Sequence, residues 1–202
     1  MSEQPNTMPV VFIPALLCEE QLYRDVVAAL CDGIEPLVLQ SPKPRLEDSV
    51  ADILSRAPSR FALVGTSYGG NLAMEVALAA PDAVFDLLAG LVVHKAAVTQ
   101  AATFKATAKR VGGSAGAAQA RALGVRREAS SRLGALTMPA FVPWGNEDAL
   151  VPVAIGRALA AALPQAQFEG FEGCGHLPTL EKPVESAASF ARFLKAAAAQ
   201  GH

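Results

Sequence analysis

Histidine is scarce in this chain. There are three, His94, His176 and His202, so any imidazole base has to be one of them. Cysteine is as rare. Cys18, Cys31 and Cys174 make an odd number with no Cys-x-x-Cys spacing, which argues against a disulfide framework and a cysteine zinc site. Buried thiols are the plain reading, although Cys18 and Cys174 each flank a loop of interest. An excess of one charge is missing too: the net charge is −2, and nothing global recommends nucleic acid as a partner. No apolar run is long enough to span a bilayer, and the best, residues 83–93, is short and carries Asp86. Residues 1–8 are polar and lack the apolar centre of a signal peptide, so they read as a flexible tail on a cytoplasmic protein. The stretch Gly112-Gly113-Ser114-Ala115-Gly116 is glycine-rich but follows no strand, which makes it a poor phosphate loop. No metal, nucleotide or other cofactor is expected.

What is there is enough apolar sequence for one full core. Hydrophobic residues make up 51% of 202 positions, and residues 9–202 read as a single domain. Buried apolar runs at 9–14, 34–39, 60–64, within 84–93 (its later half), at 138–144 and at 166–171 read as six strands. Between them, residues 19–30, 45–57, 71–80, 152–163 and 183–199 carry apolar side chains at helical spacing or runs of alanine. Strands alternating with helices predict an α/β fold, a doubly wound, mostly parallel sheet with helices on both faces.

Residues 94–137 break the alternation. They are alanine-rich and helix-prone, and they hold Lys95, Lys105, Lys109, Arg110, Arg121, Arg126, Arg127 and Arg132 against one acid, Glu128. They read as a lid-like insertion of about two helices after the fourth strand. A solvated helical face accounts for the charge; the functional alternative is a basic rim that attracts acidic substrates or acyl carriers.

The chemistry centres on Gly65-Thr66-Ser67-Tyr68-Gly69-Gly70, a Gly-x-Ser-x-Gly pattern between an apolar strand and a helix. In that context the serine sits on a strained turn with its hydroxyl lifted clear of the sheet. Two further blocks follow in chain order. One is Trp144-Gly145-Asn146-Glu147-Asp148-Ala149-Leu150-Val151-Pro152, and the other is Gly173-Cys174-Gly175-His176-Leu177-Pro178-Thr179-Leu180-Glu181-Lys182-Pro183. Together the three blocks resemble an α/β-hydrolase, and specifically a small, short-lid serine esterase. The resemblance runs from residue 9 to about residue 194, apart from the insertion. It implies a core lacking the family's first two strands, a strand order of 2-1-3-4-5-6, and a site at the switch point between the first and third strands.

The resemblance also implies roles. Ser67 is the nucleophile, weak until a base takes its proton. His176, in a glycine-flanked loop, is the base; His202 is terminal, and His94 ends the fourth strand. Asp148 orients the imidazole, with its neighbour Glu147 the main alternative and Glu172 and Asp86 weaker ones. The backbone N–H groups of Tyr68 and Leu16 supply the oxyanion hole. Relatives often have His-Gly or Pro-Gly before the second of these, whereas this chain has Pro14-Ala15; a positive φ at Ala15 would be strained. Leu16, Leu17, Tyr68, Trp144 and Leu177 are candidate pocket walls. The expected activity is hydrolysis of a small or medium carboxylic ester, thioester or lactone. The alternative is a catalytically weak binding or scaffold protein on a hydrolase fold.

Overall fold

A helix between two strands returns the chain to the starting edge of the sheet, so alternating elements pair in parallel. The computed structural model describes residues 7–30, 33–90, 98–125 and 129–199. Strands β1 (Met8–Ile13), β2 (Ile34–Val38), β3 (Phe61–Thr66), β4 (Val84–Gly90), β5 (Ala140–Gly145) and β6 (Ala166–Phe171) form one sheet in the order β2-β1-β3-β4-β5-β6. Every pairing is parallel. The expected sheet and strand order are therefore present. Strand β1 starts inside the stretch read as a tail: Met8 donates its N–H to Gly33 O at 3.1 Å and pairs with Ile34.

Helices cover both faces, and the strands alternate between them. Val11 and Ile13 face a core built with α2 (Leu46–Leu54), α3 (Tyr68–Ala79) and α6 (Val153–Ala162). Val10 and Phe12 face the other core, where α1 (Arg24–Ala29) and α8 (Pro183–Ala198) bring Tyr23, Phe190 and Phe193 against the sheet. Between β4 and β5 lie α4 (Val98–Val111), α5 (Gly113–Gly124) and a 3-10 turn, Ser130–Ala135. A one-turn helix, α7 (Pro178–Glu181), precedes α8.

Two elements differ from the sequence reading. The helix expected at 19–30 is a 3-10 turn, Glu20–Leu22, followed by the short α1. Tyr23 breaks it: the ring is fully buried, and its hydroxyl lies 2.8 Å from both Ile13 O and Thr66 Oγ1, so tertiary anchoring overrides helical continuity. Strand β4 begins at Val84 and so includes the earlier half of residues 84–93, with a register shift against β3 at Phe61/Ala62.

That earlier start places Asp86 inside the sheet. It is 1% exposed, its Oδ1 has no hydrogen-bond partner, and burial pushes its carboxyl up to about 7. The folded state thus holds this proton more tightly than the unfolded chain, whose carboxyl has the ordinary value of 3.8. Ionisation then destabilises the fold progressively as pH rises from that ordinary value to the raised one. Asp86→Asn should therefore raise Tm more at pH 8 than at pH 5, as read by thermal melts of both proteins. A pH-independent difference would show that Asp86 does not titrate in this way.

Candidate active site

The site is built from loops that leave the carboxyl ends of β3, β5 and β6, which parallel pairing puts on one edge of the sheet. Between β3 and α3 the chain turns at Ser67, whose φ of 59° and ψ of −117° are a conformation that L-residues rarely adopt. The turn is that tight because strand, helix and neighbouring strand touch. A Cβ on Gly69 would sit 1.9 Å from Ile13 O, and one on Gly65 would sit 2.3 Å from Gly69 O. No side chain fits at either place. Asn71 steadies the turn: its backbone N–H and its Nδ2 donate to Ser67 O at 3.1 and 3.2 Å.

The acid and histidine loops meet at similarly close range. A Cβ on Gly145 would lie 1.9 Å from Gly175 O. Asp148 and His176 are both buried, and His176 Nδ1 is 3.4 Å from each Asp148 carboxylate oxygen. Asp148 Oδ1 also accepts the N–H groups of Leu150 and Val151 at 2.9 and 3.0 Å, which holds the carboxylate still beneath the imidazole. Three further backbone N–H groups hold the histidine loop. Cys174 donates to Glu147 Oε2 at 2.9 Å, Gly175 to Glu181 Oε2 at 3.0 Å, and Leu177 to Glu181 Oε1 at 2.9 Å.

The alternative acids are thus placed elsewhere. The Glu147 carboxylate is turned to Cys174 N–H, Glu172 accepts from Asn146 Nδ2 at 2.6 Å, and Asp86 lies in the early part of β4. His94 and His202 lie outside the described residues, as do Cys31, Lys95, Arg126 and Arg127. Cys18 and Cys174 are buried, and burial pushes both thiols up to about 12, so neither is a thiolate at neutral pH.

Several pocket expectations need correction. Trp144 is fully buried; its ring packs against the space that a Cβ on Gly156 would fill, and its Nε1 donates to Val151 O at 3.2 Å. It is a core residue and not an open pocket wall. Leu177 is buried in the core on the α1/α8 side. The Tyr68 side chain also points inward, with its hydroxyl 3.1 Å from Ser41 O and 3.3 Å from Ser49 Oγ, which leaves only its backbone at the site. Leu16 and Leu17 remain half-buried at the loop after β1. Positive φ there falls on Leu17, at 61°, and not on Ala15. Of the basic residues, Arg110 pairs with Glu19, and Arg132 forks onto Glu75 at 3.0 and 2.5 Å, so both are bound within the structure.

Sequence reasoning missed Glu181, which holds the histidine loop, and Gln119, whose Oε1 accepts the Leu17 N–H at 3.1 Å. Glu181 follows His176 by five positions within the block already singled out, so its reach was available in principle. Gln119 stands in an alanine-rich run with no local mark.

Known proteins share this fold. A family model described as the alpha/beta hydrolase fold matches residues 90–183, a segment that contains Asp148 and His176. A curated relative, a 2-hydroxy-6-oxononadienedioate/2-hydroxy-6-oxononatrienedioate hydrolase from Cupriavidus pinatubonensis, is 48% identical over 46 residues, which are 23% of this chain and 16% of that protein. The chain's match thus spans only about a sixth of that relative's length. Likeness to solved structures is longer. MenH from S. aureus superposes with a TM-score of 0.81 at 14% identity, covering 97% of this chain and 96% of that one. The enol-lactonase from Burkholderia xenovorans LB400 gives 0.80 at 17% identity, covering 96% and 94%. By strand order, by the family segment and by likeness over almost its whole length, this chain is an α/β-hydrolase-fold protein.

Proposed function

We propose that the chain is a serine hydrolase working through an acyl-enzyme on Ser67. The observation that carries this reading is the backbone of Ser67, held at positive φ where a glycine would be free of strain. A strained non-glycine residue at a strand-to-helix turn, on the same sheet edge as a buried Asp–His pair, is best explained by a need for its hydroxyl.

In the proposed reaction, His176 Nε2 takes the Ser67 proton as Oγ attacks the acyl carbon. The Tyr68 and Leu16 N–H groups receive the oxyanion, in a hole where each donor is worth about 3 kcal/mol. The imidazolium, steadied by Asp148, then protonates the leaving group, and water, deprotonated by His176, releases the acid and restores Ser67. At 3.4 Å the Asp148–His176 contact is long for a hydrogen bond, and such contacts shorten when substrate binds.

The substrate class is a small or medium carboxylic ester, with thioesters and lactones open to the same machinery. Names among the relatives widen the panel, since one is a 2-hydroxy-6-oxononadienedioate/2-hydroxy-6-oxononatrienedioate hydrolase and one structural neighbour is an enol-lactonase. Weak binding-protein behaviour loses its main support, because Ala15 does not carry the positive φ.

A fluorophosphonate probe tests the reading. Wild type should be labelled at Ser67 and should turn over at least one of a p-nitrophenyl ester, a thioester, a lactone or a 2-hydroxy-6-oxo-dienoate. Absence of both labelling and turnover would favour a binding protein on this fold.

A further inference from the structure

The loop after β1 is tied to the insertion by three separate contacts, and its backbone is strained where they meet. Residues 15–18 form a tight turn closed by Cys18 N–H donating to Ala15 O at 2.9 Å. Leu17 stands at the third position with φ of 61°, which in a type II turn is normally filled by glycine or asparagine. A leucine has an easy escape from that strain. If the peptide between Leu16 and Leu17 flipped, the turn would become type I and Leu17 would return to negative φ.

The insertion blocks that escape. The Leu17 N–H, which belongs to the peptide that would flip, donates to Gln119 Oε1 at 3.1 Å. Gln119 comes from α5 and is 2% exposed, so its carbonyl oxygen has little access to water as a substitute partner. A flipped peptide would turn the Leu16 carbonyl toward the Gln119 oxygen, acceptor against acceptor, so the flip also requires the buried Gln119 amide to turn over. The Leu17 side chain is seated against Gly116, where a Cβ would come within 2.3 Å of Leu17 Cδ2. On the loop's other flank, Arg110 of α4 pairs with Glu19.

We infer that Gln119 is a positioning residue that holds the loop after β1 in its strained form, and so couples the seating of the insertion to oxyanion binding. This rests on the serine-hydrolase reading. With the latch in place, the Leu16–Leu17 peptide presents an N–H on the insertion side. With the latch lost, that peptide is free to turn over, and the adjoining Leu16 N–H, the proposed oxyanion donor, loses the fixed backbone that aims it. The latch therefore acts on the transition state more than on substrate binding.

The test uses Gln119→Leu, similar in size and without the acceptor. Amide hydrogen exchange at Leu17 reads the latch without reference to catalysis: slow in wild type, fast in the variant. For a substrate that wild type turns over, kcat should fall by about 10-fold or more with KM nearly unchanged, and a phenylboronic acid, which forms a tetrahedral adduct on the serine, should weaken by a similar factor. Leu17→Gly supplies the rescue. Glycine takes positive φ without strain, so Gln119→Leu should cost several-fold less in that background. Should Gln119→Leu fail to fold, Gly116→Ala displaces Leu17 from the other side and should move kcat the same way. An unprotected Leu17 amide in wild type, or equal boronate affinity in wild type and Gln119→Leu, overturns the inference while leaving the hydrolase reading standing. A wild type with a protected amide and a Ser67 inert to fluorophosphonate overturns the hydrolase reading itself, and the catalytic role of Gln119 with it.

Discussion

Replacing Ser67 with glycine should abolish turnover and at the same time raise Tm. The two effects have one origin. A serine at φ of 59° and ψ of −117° sits in a region open mainly to glycine, and such residues carry about 1–3 kcal/mol of strain. Glycine removes the strain but enlarges the unfolded ensemble, which costs back up to about 1 kcal/mol. A net gain near 1 kcal/mol in a domain of this size raises Tm by about 2–4 °C. Turnover should fall by at least about 10³-fold, because the nucleophile is gone while binding and the oxyanion donors remain. Ser67→Ala serves as the control: the same catalytic loss, no labelling by fluorophosphonate, and no relief of strain. Melts and steady-state rates on the three proteins separate the effects. Turnover surviving in both variants would remove Ser67 from the mechanism.

Asp148→Asn should be nearly as severe, with kcat down by about 10⁴-fold and the fold retained. The carboxylate faces His176 Nδ1 with both oxygens at 3.4 Å, and through Oδ1 it also accepts two backbone N–H groups. An asparagine has one acceptor oxygen for those partners. If the oxygen stays with Leu150 and Val151, the amide N–H₂ meets Nδ1 and enforces the wrong tautomer, so that Nε2 carries a proton and cannot act as base. Glu147→Gln should cost far less, since Glu147 reaches the Cys174 N–H and leaves the imidazole to Asp148. Steady-state kinetics on the pair decide the matter. A near-normal rate in Asp148→Asn together with a collapse in Glu147→Gln would transfer the orienting role.

The parts of the candidate site that were legible share a feature: each is a short block whose residues constrain one another locally. Gly65 and Gly69 flank Ser67 because the backbone there cannot carry a Cβ, and that requirement shows in the sequence as glycine. Trp144 was harder. An aromatic beside the acid loop fits a pocket wall or a core position equally well, and the ring went to the core because Gly156 leaves room for it beneath α6. Tyr23 split an expected helix for the same kind of reason, since its partners, Ile13 and Thr66, lie on two other elements.

The strand order came with the family resemblance; sequence alone determined the alternation of apolar strands and helices, hence the parallel sheet, and it marked Ser67, Asp148 and His176 by their neighbours. Those features follow from local chemistry: periodic burial, glycine where space is absent, and a polar residue at the end of a strand. Only the tertiary structure decided which acid faces the imidazole, that Asp86 is buried, and that Leu17 carries the positive φ under Gln119. Contacts of that kind join residues as many as 102 positions apart. No periodicity within either segment records them, because their energies arise only once the sheet has brought the segments together.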